Sequence, residues 1–223
     1  MGSAARFWDN FFSAFKMSEP GSGFMWLILL AGVFAVAIMI ERGYYVLVKS
    51  NINANKFMQE IRKNVTSGNI KKAIGLCEKG KDKALAYVVL QGLKKVLESE
   101  SLDFRSIQNA VDEGTLEVIP KLQQRTSYLS MIANVATLMG LMGTIYGLII
   151  AFDAVSGEGI AEKDKPKVLA KGISTAMNTT IFGLAVAIPT LIVYTILQNQ
   201  TAKIIDEMDE HLVKLINLIT GSR

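Results

Sequence analysis

The chain has 223 residues, half of them hydrophobic, with one cysteine and a formal net charge of +4. A single cysteine excludes an internal disulfide, and so small an excess of positive charge is not the footprint of a nucleic-acid-binding protein. The high hydrophobic content argues against an ordinary soluble domain and directs attention to three long runs without charge, at residues 21–40, 126–152 and 172–202.

The first predicted element is an amphipathic helix over residues 1–20. Aromatic residues recur there at spacings of three and four, namely Phe7, Trp8, Phe11, Phe12 and Phe15. Such a stripe is typical of a helix that lies at the headgroup level of a bilayer, here on the periplasmic side. Packing of the same stripe against a neighbouring subunit explains it equally well, so both interpretations stay open.

Residues 21–42 form the first predicted transmembrane helix. The run reaches the length of about 20 apolar residues that a membrane span requires. Glu41 and Arg42 end it. We interpret both as snorkelling anchors at the cytoplasmic interface, with their stems along apolar surface and their charged heads in water.

Residues 43–125 form a predicted water-exposed helical region, because apolar residues recur there at helical spacing among charges. Residues 41–125 carry 15 of the 24 Lys and Arg residues, so the positive-inside rule places this region in the cytoplasm. The N-terminus and the loop at 153–171 are then periplasmic. We expect the last helix of the region to continue into the second span, and Cys77 to be a small buried apolar side chain.

The second predicted span covers residues 126–152, and its polar residues share one side of a helix. Thr137 and Thr144 belong to this stripe, with three glycines nearby, Gly140, Gly143 and Gly147. Small residues let helices approach closely in lipid, and hydroxyls can bond across the contact. Helix packing alone therefore explains any single one of these residues.

The third predicted span covers residues 172–199 and is followed by a cytoplasmic helical tail at 200–223. Its outer half is polar, with Thr175, Asn178, Thr179 and Thr180, and Gly183 and Pro189 follow further along. An asparagine should face protein or water rather than lipid. Two spans with matching polar stripes predict a shared lining. His211, in the tail, is expected to be a solvated helix residue.

The second and third spans contain no Asp, Glu, Lys, Arg or His. A proton relay normally needs a titratable group, so a lining that conducts protons would need a carboxylate from another chain. The sequence also lacks a Ser/His/Asp or Cys/His set, a metal cluster and a Walker A loop, since GLMGTIYG has no lysine. We therefore expect a protein that is not an enzyme.

Two segments resemble the paired second and third spans of the MotA/TolQ/ExbB proton-channel family, and its ExbB and TolQ branch in particular. They are GLMGTIYGLIIAF and GISTAMNTTIFGLAVAIPTLIVY. The matching residues are Gly143, Thr144, Tyr146 and Gly147, then Gly183, Ala187, Ile188, Pro189 and Tyr194. The family's lining threonines fall on Thr144 and Thr180, and Thr175 stands where ExbB and TolQ usually carry a glutamate.

The resemblance implies an all-α protein of the inner membrane of a Gram-negative bacterium, with three transmembrane helices, two of them extended into a cytoplasmic helical region. It implies a ring of five such subunits around two single-span helices of an ExbD- or TolR-like partner that carries an aspartate in the membrane. This motor would act on a TonB- or TolA-like protein for outer-membrane transport or envelope maintenance. Protons are the coupling ion, no cofactor is expected, and bound phospholipid is left open.

Two other functions remain compatible with the sequence. One is a stator subunit of the MotA or gliding type, which the missing glutamate at Thr175 keeps open. The other is a passive membrane scaffold, in which the polar stripes only pack helices. The residues that we expect to line a proton path are Thr137, Thr144, Thr175, Asn178 and Thr180, and those expected to pack helices are Gly140, Gly143, Gly147, Gly183 and Pro189.

Overall fold

The computed structural model describes residues 8, 9, 11–17, 21–98, 104–157 and 161–221. Phe7 and the rest of residues 1–7, 10 and 18–20, which belong to the predicted N-terminal helix, lie outside the described residues. The chain divides into two compact units. The first comprises Met1–Met39 and Ser127–Tyr194, and the second comprises Ile40–Thr126 and Thr195–Arg223.

The described residues are predominantly helical, and no strand occurs among them. In chain order the elements are α1 (Ser22–Gly43), a π-helix (Tyr44–Lys49), α2 (Ala54–Thr66), α3 (Ile70–Lys79), α4 (Ala84–Glu98), α5 (Phe104–Gln123), α6 (Thr126–Ser156) and α7 (Lys165–Thr220). Among the described residues, three helical stretches are long and apolar enough to cross a membrane, and they include α1, α6 and α7. The described part of the chain is therefore all-α with three apolar helices, as expected for an integral membrane protein.

The expected continuous helix into the second span is interrupted. Gln124 and Arg125 form a turn between α5 and α6, and Arg125 adopts a φ of 61°, which residues with a side chain rarely adopt. Neither proline breaks its helix, because Pro120 lies inside α5 and Pro189 inside α7. The helix α7 continues for 56 residues, well past the end of the apolar run.

The N-terminal aromatic stripe is divided between two environments in the first unit. The rings of Phe11 and Phe15 lie 5.8 and 5.3 Å from the ring of Phe182 in α7, and the indole of Trp26 donates a hydrogen bond of 3.1 Å to the Phe15 carbonyl. Trp8 and Phe12 are instead 54% and 64% exposed. Phe11 and Phe15 thus pack within their own chain, which neither sequence interpretation foresaw, whereas the exposed Trp8 and Phe12 can contact a bilayer.

The second unit has a core of its own. Along the chain, α2 packs on α3, α3 on α4 and α4 on α5. Cys77 is fully buried, as predicted. The prediction for His211 is wrong, because its side chain is only 8% exposed. His211 shares a face of α7 with Met208 and Leu215, and both of these side chains are fully buried, so the spacing carries the imidazole into the core.

Candidate functional site

A close contact between α6 and α7 forms the frame of the candidate site. A Cβ added to Gly147 would lie 2.7 Å from the Cβ of Ala176, and one added to Gly183 would lie 2.6 Å from the Ala136 carbonyl oxygen. Added methyl groups at Gly140 and Gly143 would also meet α7. The four predicted packing glycines therefore all lie in this contact, where only the absence of a side chain lets the two backbones approach so closely.

The pairs along this contact show that the two helices are antiparallel. Gly140 lies against Gly183, Gly147 against Ala176, and Ala151 against Gly172. Numbers that rise along α6 are thus matched by numbers that fall along α7. This antiparallel arrangement determines which flank of α6 and which flank of α7 lie on the same side of the helix pair.

Hydrogen bonds tie α7 to α6 at one carbonyl group. The Gly140 oxygen accepts from the hydroxyl of Thr179 at 3.1 Å and from that of Thr180 at 3.0 Å. The Thr179 hydroxyl also lies 2.7 Å from the carbonyl oxygen of Ala176 on its own helix. Thr179 is only 2% exposed and acts in packing, a role that the sequence reasoning missed. Its position three residues from Ala176 and four from Gly183 was the available signal.

Thr137, Thr144 and Thr180 lie on the same side of the helix pair. At about 100° per residue, Thr137 and Thr144 are displaced from Gly140 by about 60° and 40°, and Thr180 is displaced from Gly183 by about 60° in the same rotational sense. When two antiparallel helices are in contact, residues displaced from the contact line by the same angle and in the same sense lie on the same side of the pair. We call these three residues the threonine face.

Thr175 and Asn178 do not belong to the threonine face. They lie on the opposite flank of α7, together with Phe182 and Val186. This flank contacts other parts of the first unit, since Phe182 meets the N-terminal aromatic rings and a Cβ on Gly32 of α1 would lie 3.3 Å from Val186. Asn178 is 6% exposed, so it lies within the protein. The five predicted lining residues thus divide into two groups.

The hydroxyl groups of the threonine face all donate to backbone carbonyls. Thr137 donates to Ala133 at 3.1 Å, Thr144 to Leu141 at 2.6 Å, and Thr180 to Gly140. Their oxygen lone pairs remain free to accept a hydrogen bond from water or from a protonated carboxylic acid. An ionised carboxylate only accepts hydrogen bonds, so a hydroxyl must first release its carbonyl to bind one.

Thr175 lines a separate cavity of about 190 Å³ between α6 and α7. Its hydroxyl donates to the Lys171 carbonyl at 3.1 Å, and Lys171 lines the same cavity, with Gly147, Ala151 and Gly172. The described residues that line this cavity include Thr175 and Lys171 but no carboxylate, which the resemblance leads one to expect at position 175.

The two predicted interface anchors, Glu41 and Arg42, differ in burial. Arg42 is only 3% exposed, and its guanidinium donates to the carbonyls of Lys121 and Leu122 at 3.0 and 2.6 Å. A positive charge on the last carbonyls of α5 complements the helix dipole. Arg42 therefore does not place its head in water as a snorkelling side chain would, whereas Glu41 is exposed and pairs with Arg125 at 2.6 Å.

The chain is similar to known proteins over most of its length. The profile described as the MotA/TolQ/ExbB proton channel family matches residues 80–210. A putative biopolymer transport protein ExbB homolog of Methanothermobacter thermautotrophicus is 25% identical over 214 residues, which cover 95% of this chain and 71% of that protein. A putative biopolymer transport protein ExbB-like 3 of Synechocystis sp. is 29% identical over 184 residues, 77% of this chain and 84% of that protein.

A TolQ protein matches over a shorter length. The Tol-Pal system protein TolQ of Haemophilus influenzae is 37% identical over 76 residues, which cover 34% of this chain and 32% of that protein. Since the family profile extends over more than half of the sequence, from the end of α3 into the last part of α7, and named ExbB and TolQ proteins match as well, the chain belongs to the MotA/TolQ/ExbB proton channel family, on its ExbB/TolQ side.

Proposed function

We propose that the chain is a subunit of an inner-membrane, proton-driven motor that couples the proton-motive force to a TonB- or TolA-like protein, for outer-membrane transport or envelope maintenance. The observation that carries this proposal is the threonine face, an uncharged but hydrogen-bonding side of the α6–α7 pair in a member of a proton channel family. We place the chain in the inner membrane of a Gram-negative bacterium, with the N-terminus in the periplasm and the C-terminus in the cytoplasm.

The titrating group must come from a partner. Residues 126–152 and 172–202 contain no ionisable Asp, Glu, Lys, Arg or His, and a proton relay through a membrane requires one. We propose a homo-pentamer whose threonine faces point inward, around a dimer of an ExbD- or TolR-like single-span protein that carries a membrane aspartate.

The hydrogen bonds of the threonine face favour a particular sequence of events. A protonated aspartate of the partner can donate to the free lone pairs of Thr144 or Thr180, so the neutral acid binds the face without disturbing the threonine–carbonyl bonds. Loss of the proton removes this donor and weakens the contact, which releases the partner helix to move. Two protons that cross a gradient of about 200 mV would supply roughly 9 kcal/mol for such a step.

The experiment compares three valine substitutions of one chemical kind. Thr144→Val and Thr180→Val remove a hydroxyl from the threonine face, and Thr175→Val removes one from the opposite flank of α7. We expect proton flux through the reconstituted complex with its single-span partner to fall about tenfold in the first two variants, the effect of about 1.4 kcal/mol for one lost hydrogen bond. Thr175→Val should conduct like the original protein.

Native mass measurement of each complex serves as the control for assembly. Proton flux that persists in Thr144→Val and Thr180→Val, in complexes of unchanged composition, would leave the face as a packing surface and favour the passive scaffold. A complex that conducts but co-purifies with a flagellar or gliding apparatus rather than with a TonB- or TolA-like protein would favour the stator.

A further inference from the structure

A pocket with a strongly basic lining lies in the second unit. Its volume is about 180 Å³. Four lysines and two tyrosines contribute to the wall, namely Lys49, Lys81, Lys83, Lys121, Tyr45 and Tyr87. We call this cavity the basic pocket. Asp82 lines it as well, and Glu117 lies beside it, because it accepts hydrogen bonds from Tyr87 and Lys121.

Two of the four lysines already have partners. Lys83 donates to the Val48 carbonyl at 2.5 Å, and Lys121 pairs with Glu117 at 2.6 Å. The ammonium of Lys49 lies 5.9 Å from the centre of the Tyr45 ring, and neither Lys49 nor Lys81 forms an ion pair with a residue that the structure describes. Four lysine charges against the carboxylates of Asp82 and Glu117 leave an excess of positive charge for a bound anion.

The basic pocket begins where the first apolar run ends. Tyr45 and Lys49 belong to the π-helix that follows α1 directly. Tyr45 is five residues beyond Ile40, where the uncharged run ends. Five residues span about 7.5 Å at a helical rise, which is the depth of the headgroup layer beyond the hydrocarbon core. Tyrosine is enriched at this level of a membrane. The opposite wall includes Leu122, four residues before α6 begins.

The lining also provides for more than a phosphate. Val118, Leu122 and Ala84 contribute apolar surface beside the lysines. A small soluble anion would leave this apolar surface exposed to water, whereas the glycerol and first methylene groups of a phospholipid would cover it. Lysine clusters immediately cytoplasmic of a membrane helix attract anionic lipids by about 1 kcal/mol per residue.

We infer that the basic pocket binds the phosphate of an anionic phospholipid of the cytoplasmic leaflet, through the ammonium groups of Lys49 and Lys81. The inference rests on the topology in the proposed function, which puts the end of α1 at the cytoplasmic face. It does not depend on the threonine face or on proton conduction. The bound headgroup would hold the π-helix and the C-terminal turn of α5 at the membrane surface.

The test measures lipid binding to the full chain, co-purified with its single-span partner, by native mass spectrometry in detergent. The probes are phosphatidylglycerol, phosphatidylcholine and soluble glycerol 3-phosphate. Lys49→Gln with Lys81→Gln removes two charges from the basic pocket, and Lys71→Gln with Lys72→Gln removes two charges from exposed positions of α3 outside it. Lys49→Arg with Lys81→Arg keeps both charges.

We expect the phosphatidylglycerol dissociation constant to rise about 30-fold in the Lys49→Gln, Lys81→Gln variant, because each lysine contributes about 1 kcal/mol. It should change less than about twofold in the Lys71→Gln, Lys72→Gln variant. The Lys49→Arg, Lys81→Arg variant should bind like the original protein. Equal losses in both glutamine variants would indicate general charge attraction and overturn the inference. Equal affinity for phosphatidylcholine would overturn it too, as would glycerol 3-phosphate that displaces the lipid at matched concentration.

The same assay separates this inference from the proposed function. Thr144→Val should bind phosphatidylglycerol normally even if it no longer conducts protons. If the pocket variant loses lipid binding but keeps normal proton flux, the result supports the lipid site and leaves the proposed motor function unaffected. If the valine variants conduct normally while the lipid results are as expected, only the proposed motor function is contradicted. Labelling of the Lys49→Cys variant by a membrane-impermeant thiol reagent from the periplasmic side would contradict the topology and with it the lipid site.

Discussion

The Cα of Gly183 in α7 faces the carbonyl oxygen of Ala136 in α6 so closely that a Cβ on Gly183 would lie 2.6 Å from that oxygen. Gly140 is the next neighbour, with its Cα 3.2 Å from the same added atom. Both obstacles belong to the backbone, so no side-chain rotation can relieve the clash. The distance between the two helices, and with it the threonine face, therefore depends on this glycine.

Gly183→Ala is expected to destabilise the first unit by about 1–3 kcal/mol, the usual cost of an extra methyl group in a well-packed contact. Gly23→Ala is the matched control, because a Cβ on Gly23 meets nothing within 4 Å. Thermal unfolding of the detergent-solubilised chain measures both. A melting temperature for Gly183→Ala that equals that of Gly23→Ala would show that the helices are not held as closely as described.

Arg42→Gln is expected to destabilise the second unit by about 3 kcal/mol. The substitution removes two charge-assisted hydrogen bonds to the Lys121 and Leu122 carbonyls, and it does so in a buried place where water cannot replace them. Glu41→Gln should cost less than about 1 kcal/mol, since its ion pair with Arg125 is half exposed. Cleavage by trypsin after Arg125 should increase only in Arg42→Gln, and equal cleavage in both variants would contradict the capping role.

Cys77 should make the stability of the second unit depend on alkaline pH. Burial raises the pKa of its thiol from 9.0 to about 12. Below pH 9 both the folded and the unfolded thiol keep their proton, so this contribution is fully present. Between pH 9 and about 12 only the unfolded state loses the proton, and stability falls by up to about 1.4 kcal/mol per pH unit.

The difference between the original protein and Cys77→Ala isolates this effect from lysines and tyrosines that titrate in the same range. Chemical denaturation at pH 8, 9 and 10 provides the measurement. Rapid alkylation of Cys77 by maleimide at pH 8 in the folded protein would contradict its burial.

Phe182→Ala is expected to release the N-terminal aromatic segment, because the ring of Phe182 contacts both Phe11 and Phe15. The loss should be smaller than the about 3–5 kcal/mol of a fully buried aromatic truncation, because Phe182 is only half-buried. Trp26→Phe keeps a ring and removes only the hydrogen bond to Phe15, for about 1 kcal/mol. Trypsin cleavage after Lys16 should increase most in Phe182→Ala and less in Trp26→Phe. It should be unchanged in Phe12→Leu, because Phe12 is exposed.

Sequence patterns predict part of the candidate site for physical reasons. Thr144 and Thr180 were predicted from a resemblance in motif, and the glycines from their spacing, because glycine at three- and four-residue intervals in an apolar run has few uses other than close packing. The structure places Thr144 and Thr180 on one side of the helix pair. Thr175 and Asn178 looked equivalent to them, since hydropathy does not record on which flank a neighbouring helix lies.

The sequence by itself determined the three apolar helices, the lack of Asp, Glu, Lys, Arg and His in residues 126–152 and 172–202, and the family. These are properties of composition and local order, because the length of a span and the cost of charge in lipid do not depend on distant contacts. Only the tertiary structure decided that Arg42 caps α5, that His211 is buried, and that the polar residues of α7 separate into two flanks. Local spacing says which residues share a helix face, but only contacts between residues far apart along the chain, such as Arg42 with Leu122 and Gly183 with Ala136, decide which face is covered.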